Sequence, residues 1–116
     1  RIWPFVQGYW AIAAARHGQV NIFAKELDHL VSLAMDNPDT PPTFAEFYET
    51  NATFLWKQRR QLWSSAGYLG MILQGLFGIQ LEPQGIRFRP VKPKHVDQVI
   101  VLEDLVYRKA QLTIEV

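Results

Sequence analysis

The stretch Ser64–Pro83, SSAGYLGMILQGLFGIQLEP, changes character at Gly78. Ahead of that glycine it suits a helix, which Ser64 or Ser65 can cap and which runs to about Phe77. Gly67, Gly70 and Gly75 each weaken such a helix by roughly 1 kcal/mol relative to Ala. Glycines are tolerated there where another backbone must come close, so a tight helix crossing is expected. Past Gly78 the segments GIQLEP, GIRFRPVKP, QVIVLEDLVYRK and QLTIEV alternate or run in β-branched residues, broken by Pro and Gly. Pro83-Gln84-Gly85 reads as one turn and Lys109-Ala110 marks another. Three or four antiparallel strands are expected.

Working back toward the start, Pro4 suits the first turn of a helix, where its missing N–H does no harm. From Pro4 to Arg16 the chain is apolar on most sides, with Phe5, Val6, Tyr9, Trp10, Ile12 and Ala13. That predicts a helix buried nearly all round. Gly18 is a plausible stop. Asn21 can cap a second helix reaching about Asp36. Its apolar positions Phe23, Leu27, Leu30, Val31 and Ala34 repeat at helical spacing, with Lys25, Glu26, Asp28 and His29 between them. An antiparallel helical hairpin follows. DNPDTPP, residues 36–42, then breaks the pattern. From Thr43 to Gln61 the chain reads as a long irregular loop holding at most a short turn. Phe44, Phe47, Tyr48, Phe54, Leu55 and Trp56 argue against disorder there. The order is helices over 1–78, then strands over 79–116, mainly α and then β.

The bulk numbers narrow the function classes. The chain has 116 residues, 48% hydrophobic and 20% charged, enough for one small domain. A formal net charge of +1 argues against nucleic acid or an anionic membrane surface as partner. The one tight basic cluster, Lys57, Arg59 and Arg60, reads as a solvated face. No cysteine is present, which removes disulfides and thiolate chemistry and fits a cytoplasmic or a bacterial periplasmic protein equally. No segment has the unbroken apolar length of a membrane span. Aromatics make up 13%, with four Trp, several of them in expected turns or helix starts. A domain of this size would struggle to bury them all. The expectation is a piece of a larger protein whose other parts cover some of these rings.

Among the chemistry-bearing residues, Glu46 stands out. TFAEFYE, residues 43–49, sets its carboxylate among Phe44, Phe47 and Tyr48. A charge among rings costs free energy unless paired or solvated, so Glu46 is either a satisfied structural group or a working base or acid. Trp3, Trp10, Trp56 and Trp63 can stack on sugar rings or pack a core; core packing is preferred for Trp10. His17, His29 and His95 are scattered, with no carboxylate at metal-ligand spacing, and read as surface histidines. The helix glycines have no following GK[ST], and Ser64 and Ser65 lack a nucleophile-elbow context. No metal and no cofactor are expected.

The run IWP, a helical hairpin, AEFYE, a loop, QLWSSAGYLGMILQGLFGI and the strands GIRFRPVKP and LVYRKAQLTIEV resemble the C-terminal end of bacterial (α/α)6-barrel glycosidases. This six-hairpin superfamily includes glucoamylase-like, trehalase-like and rhamnosidase-like enzymes and sugar phosphorylases. The resemblance covers almost the whole chain. It implies the last helices of an (α/α)6 toroid followed by a small antiparallel β-sheet region. Ala45-Glu46-Phe47-Tyr48 followed by Trp63-Ser64 is similar to the glucoamylase-like pattern in which the Glu is the catalytic base. By the same analogy Trp3, Gln7 and Tyr48 line the sugar subsite, with Trp56 a further stacking candidate. Where the family usually has Thr-Gly this chain reads Thr50-Asn51-Ala52, and Glu49 is a competing carboxylate. The implied reaction is hydrolysis of a glycosidic bond in an oligosaccharide or glycoside, with inversion. Its general acid comes from an earlier hairpin, so the isolated chain is expected to be inactive and to pack against the rest of its parent. The alternatives are a non-catalytic carbohydrate-binding or scaffold domain, and a helical module that buries its aromatic face in a partner.

Overall fold

In a computed structural model, which describes residues 1–35, 44–49 and 60–116, three helices are followed by two separate pairs of antiparallel strands. The chain is thus mixed α/β, helices first. Helix α1 spans Pro4–Arg16 and α2 spans Val20–Met35. Gly18, at φ 71°, lets the turn between them close tightly. Its N–H donates to Ala15 and that of Gln19 donates to Ala14, which satisfies the last carbonyls of α1. Asn21 was expected to cap α2, but the helix already begins at Val20, and the Phe23 N–H donates to the Gln19 carbonyl.

Helix α3 spans Leu62–Met71 and continues as a π-helical turn, Ile72–Leu76. The wide turn is registered by the Phe77 N–H, which donates five residues back to Ile72 at 3.0 Å. Ser64 and Ser65 are not the cap. The helix starts two residues earlier, after Gln61, and Ser64 is fully buried in its first turn. The glycine expectation holds at the crossing of α1 and α3. A Cβ at Gly8 would overlap the Gly67 carbonyl, and one at Gly67 would lie 2.8 Å from both the Cα and the carbonyl oxygen of Phe5. Gly75 makes room for the Phe23 ring.

Burial on α1 is one-sided. Pro4, Gly8, Ala11, Ile12, Ala14 and Ala15 are buried, while Val6, Tyr9 and Trp10 are each more than half exposed. The expectation of a helix covered all round is therefore corrected: α2 and α3 cover one flank only. Val31 is likewise 39% exposed, while Leu33 takes its place in the core. The core gathers Ile12, Phe23, Leu27, Leu30, Met71, Leu76 and Phe77, with Phe44 and Tyr48 from the 44–49 segment. Burying each such large side chain contributes about 1.5–3 kcal/mol.

Gly78, at φ 62°, ends the helical part, and its carbonyl accepts the Arg89 N–H at 2.9 Å. Strand β1 (Ile79–Glu82) pairs with β2 (Gly85–Phe88) across the Pro83-Gln84 turn. Strand β3 (Val101–Tyr107) pairs with β4 (Ala110–Glu115). The second turn is Arg108-Lys109, one residue earlier than expected, with Arg108 at φ 55°. A bulge lies between Leu102 and Leu105, where Asp104 takes φ 57°. No residue of β3 or β4 is fully buried, and Leu102, Leu105 and Ile114 pack only partly on the core. Among the described residues no helix is long and apolar enough to cross a membrane.

Candidate functional site

The segment carrying Glu46 is fastened at three points. Tyr48 and Ile2 exchange backbone hydrogen bonds of 2.7 and 2.8 Å, which ties the segment to the residues just before α1. The Gln61 N–H donates to the Phe44 carbonyl at 2.9 Å, at the start of α3. The Ser64 hydroxyl lies 3.5 Å from the Glu46 carbonyl oxygen, a long contact. Phe44, Ala45 and Tyr48 face the core, and Glu46, Phe47 and Glu49 are half-buried. The backbone of the Glu46 segment is thus held beside the N-terminal ends of α1 and α3.

Rings organise the same place. Phe47 stacks on Trp3 at 5.8 Å between centroids, with 16° between planes. The Arg1 guanidinium lies 5.1 Å from the Phe47 centroid, within cation–π reach. Phe44 meets Tyr68 at 5.3 Å. Tyr48 is 2% exposed, and its hydroxyl accepts the Ala45 N–H at 3.0 Å. Burial raises the Tyr48 phenol above its ordinary value, and the Ala45 hydrogen bond partly offsets this. Tyr48 was expected at a sugar subsite. Its observed placement makes it the pin that shapes the Glu46 segment instead.

A cavity of about 670 Å³ opens between α1 and α2. Gln7 and Trp10, three residues apart on one face of α1, line it together with Trp3, which sits just ahead of the helix. Glu26, His29 and Leu33 repeat by three and four along α2 and supply the facing wall. The Gln7 amide donates to the Glu26 carboxylate at 2.6 Å, a short charge-assisted bond. Among the described residues the buried Gln7 Oε1 atom has no hydrogen-bond partner. Trp3 and Trp10 are 44% and 55% exposed, so both indoles offer open surface.

A second cavity, about 710 Å³, lies among the π-helical turn, β1 and β3. Leu73, Leu81 and Val106 give it a mainly apolar wall, with the Arg16–Gln74 hydrogen bond of 2.8 Å at one side. None of the residues singled out from the sequence lines it.

Trp3 therefore touches both places, the Glu46 segment through Phe47 and the α1/α2 cavity directly. Gln7 lies in the cavity. Glu46 and Tyr48 line neither of these cavities. Trp56 lies outside the described residues. Glu26 and His29 were passed over as a polar spacer and a surface histidine. The signal for them was their shared face on α2, which only the hairpin pairing turns toward Trp3 and Gln7. His95 meets Asp28 at 3.0 Å on the surface. Among the described residues no cluster of three or more potential metal ligands occurs. Comparisons with known protein families, with curated proteins and with solved structures return no match.

Proposed function

We propose that this chain is the C-terminal part of an (α/α)6 glycoside hydrolase, with residues 1–78 its last barrel helices and 79–116 part of the following β-sheet region. The observation that carries the reading is the fastening of the Glu46 segment across the starts of α1 and α3, next to the stacked pair Trp3 and Phe47. A half-buried Glu46 on a segment fastened next to the Trp3–Phe47 stack suits a base that works at a sugar ring. Glu46 would take the proton from a water molecule attacking the anomeric carbon, with inversion. The second carboxylate, about 6.5–9.5 Å away, protonates the leaving oxygen and is supplied by the parent chain. Trp3 and Gln7 contact the substrate, and Tyr48 holds the loop. The exposed apolar side chains Val6, Tyr9, Leu62 and Trp63 support burial against further helices of the parent.

The test is Glu46→Gln in the full-length protein. Loss of a general base lowers kcat by roughly 10²–10⁴-fold while oligosaccharide binding persists. Turnover unchanged by the substitution would overturn the assignment. A second reading, a non-catalytic carbohydrate-binding or scaffold domain, is favoured by the absence of Glu46 from the lining of the Trp3/Trp10 cavity. Such a protein binds sugar and shows no turnover before or after the substitution.

A further inference from the structure

The cleft of about 710 Å³ beside the π-helical turn meets two strands edge-on. All of β1 and the run Leu105-Val106-Tyr107 of β3 line it. A strand seen by its face would present alternate residues only. β1 and β3 are not hydrogen-bonded to each other, so each turns an unpaired edge to the gap. We propose that the cleft is a slot for one further β-strand, supplied by the rest of the parent chain, which pairs with β1 and β3 and joins the two hairpins into one continuous sheet. The proposal deepens the β-sheet reading above and rests on it for the source of the strand.

The backbone ladders fix which groups are available. The Arg89 N–H donates to the Gly78 carbonyl, so the bonds between β1 and β2 recur at Gln80 and Glu82. The N–H and carbonyl of Ile79 and Leu81 point the other way. On β3, Tyr107 and Ala110 close the turn as a bonded pair, which turns the groups of Val106 outward. None of these outward groups has a backbone partner among the described residues. Leu81 and Val106 are also 72% and 73% exposed, so their apolar side chains are as uncovered as their backbone. Arg108 donates to the Pro83 carbonyl at 2.8 Å and ties the two turns together. β1 and β3 therefore run in the same direction toward joined tips, and a strand antiparallel to both satisfies both edges. At about 3.3 Å per residue, β1 offers it about 13 Å of edge. Leu73, Ile86 and Leu105 call for an apolar side on that strand. Charge adds to the match. Glu82 is already paired with Arg87, whereas among the described residues Arg16 meets only the neutral Gln74, so an acidic residue suits the place facing Arg16. A two-stranded hairpin alone is marginal in water, and a further strand stabilises both.

The experiment is hydrogen exchange of the full-length protein, resolved to single amides. The Leu81 and Val106 amides should exchange about 100-fold or more slowly than that of Gln84 in the exposed turn, and comparably to the paired amide of Gln80. Leu81→Pro removes the outward N–H and leaves the bonds between β1 and β2 in place. In the full-length protein it should lower the thermal midpoint by about 4 °C or more. Leu81→Thr, which keeps the N–H, should lower it clearly less. The exchange measurement needs no variant, so it stands if Leu81→Pro fails to fold. Three outcomes overturn the proposal: both amides exchange as fast as Gln84, the two Leu81 variants melt together, or protection appears only as the mass doubles, which would make a second copy the occupant. Turnover by full-length Glu46→Gln plays no part in these readings. Protected amides with unchanged turnover would remove the Glu46 assignment and leave the slot standing.

Discussion

Replacing Gly8 by alanine tests the packing on which every placement above depends. Alanine is the better helix former by about 0.8–1.0 kcal/mol, so on local grounds the substitution stabilises. The crossing says the opposite. The added methyl would overlap the Gly67 carbonyl and come within 2.8 Å of the Gly67 Cα. These are backbone atoms, so no side-chain rotation relieves the clash, and α1 and α3 must separate. Overpacking of this kind costs about 1–3 kcal/mol. A contact against backbone belongs at the upper end, which leaves a net loss of about 2 kcal/mol after the propensity gain. Urea denaturation should show a midpoint lower by about 1 M with m unchanged, and the thermal midpoint should fall by roughly 8 °C. Gly85→Ala is the control, because nothing lies within 4 Å of the position a Cβ would take; it should stay within about 0.5 kcal/mol of the parent. Since the two effects have opposite sign, the sign alone decides. A Gly8→Ala chain as stable as the parent, or more so, would refute the close crossing.

Gly78→Ala combines φ 62° with an overlap on the Arg89 carbonyl, so it should destabilise by about 2 kcal/mol or more in the same urea assay. Tyr48→Phe leaves the Ala45 N–H without its acceptor and should cost about 1–3 kcal/mol. The Tyr48 and Tyr68 phenols are both raised above 10.0 by burial. Their contribution is complete below pH 10 and is lost as pH rises through the folded-state values, so stability should fall with increasing pH above about 10. Tyr48→Phe should flatten part of that decline in pH-dependent melts. Asp28→Asn removes the His95 pair at the surface, where both side chains are more than half exposed, and should change stability by less than about 1 kcal/mol.

Much of the local structure was legible along the chain. Pro4 opens α1, Gly18 and Gly78 end the helical runs, and the alternating segments beyond Gly78 become the four strands. These signals are local: a fixed φ, a residue free to take positive φ, a period of side chains. The boundary errors are local too. Ser64 lies inside α3 because burial against the Glu46 segment outweighs its preference for a cap. The second hairpin turns at Arg108-Lys109 because the pairing of Tyr107 with Ala110 sets the register. The candidate site was legible in part. Trp3 and Gln7, reached through the resemblance, both line the α1/α2 cavity, whereas Tyr48 is buried and lines neither cavity.

The sequence by itself determined the helices-then-strands order, since period and punctuation are properties of adjacent residues. It also marked the α3 glycines as a place of close approach. Only the tertiary structure decided which helix comes close, which flank of α1 stays open, and that Glu26 faces Trp3 and Gln7. Those facts depend on contacts between residues far apart in the chain. A single sequence carries no record of such pairings, and they are settled by which apolar faces can be buried together.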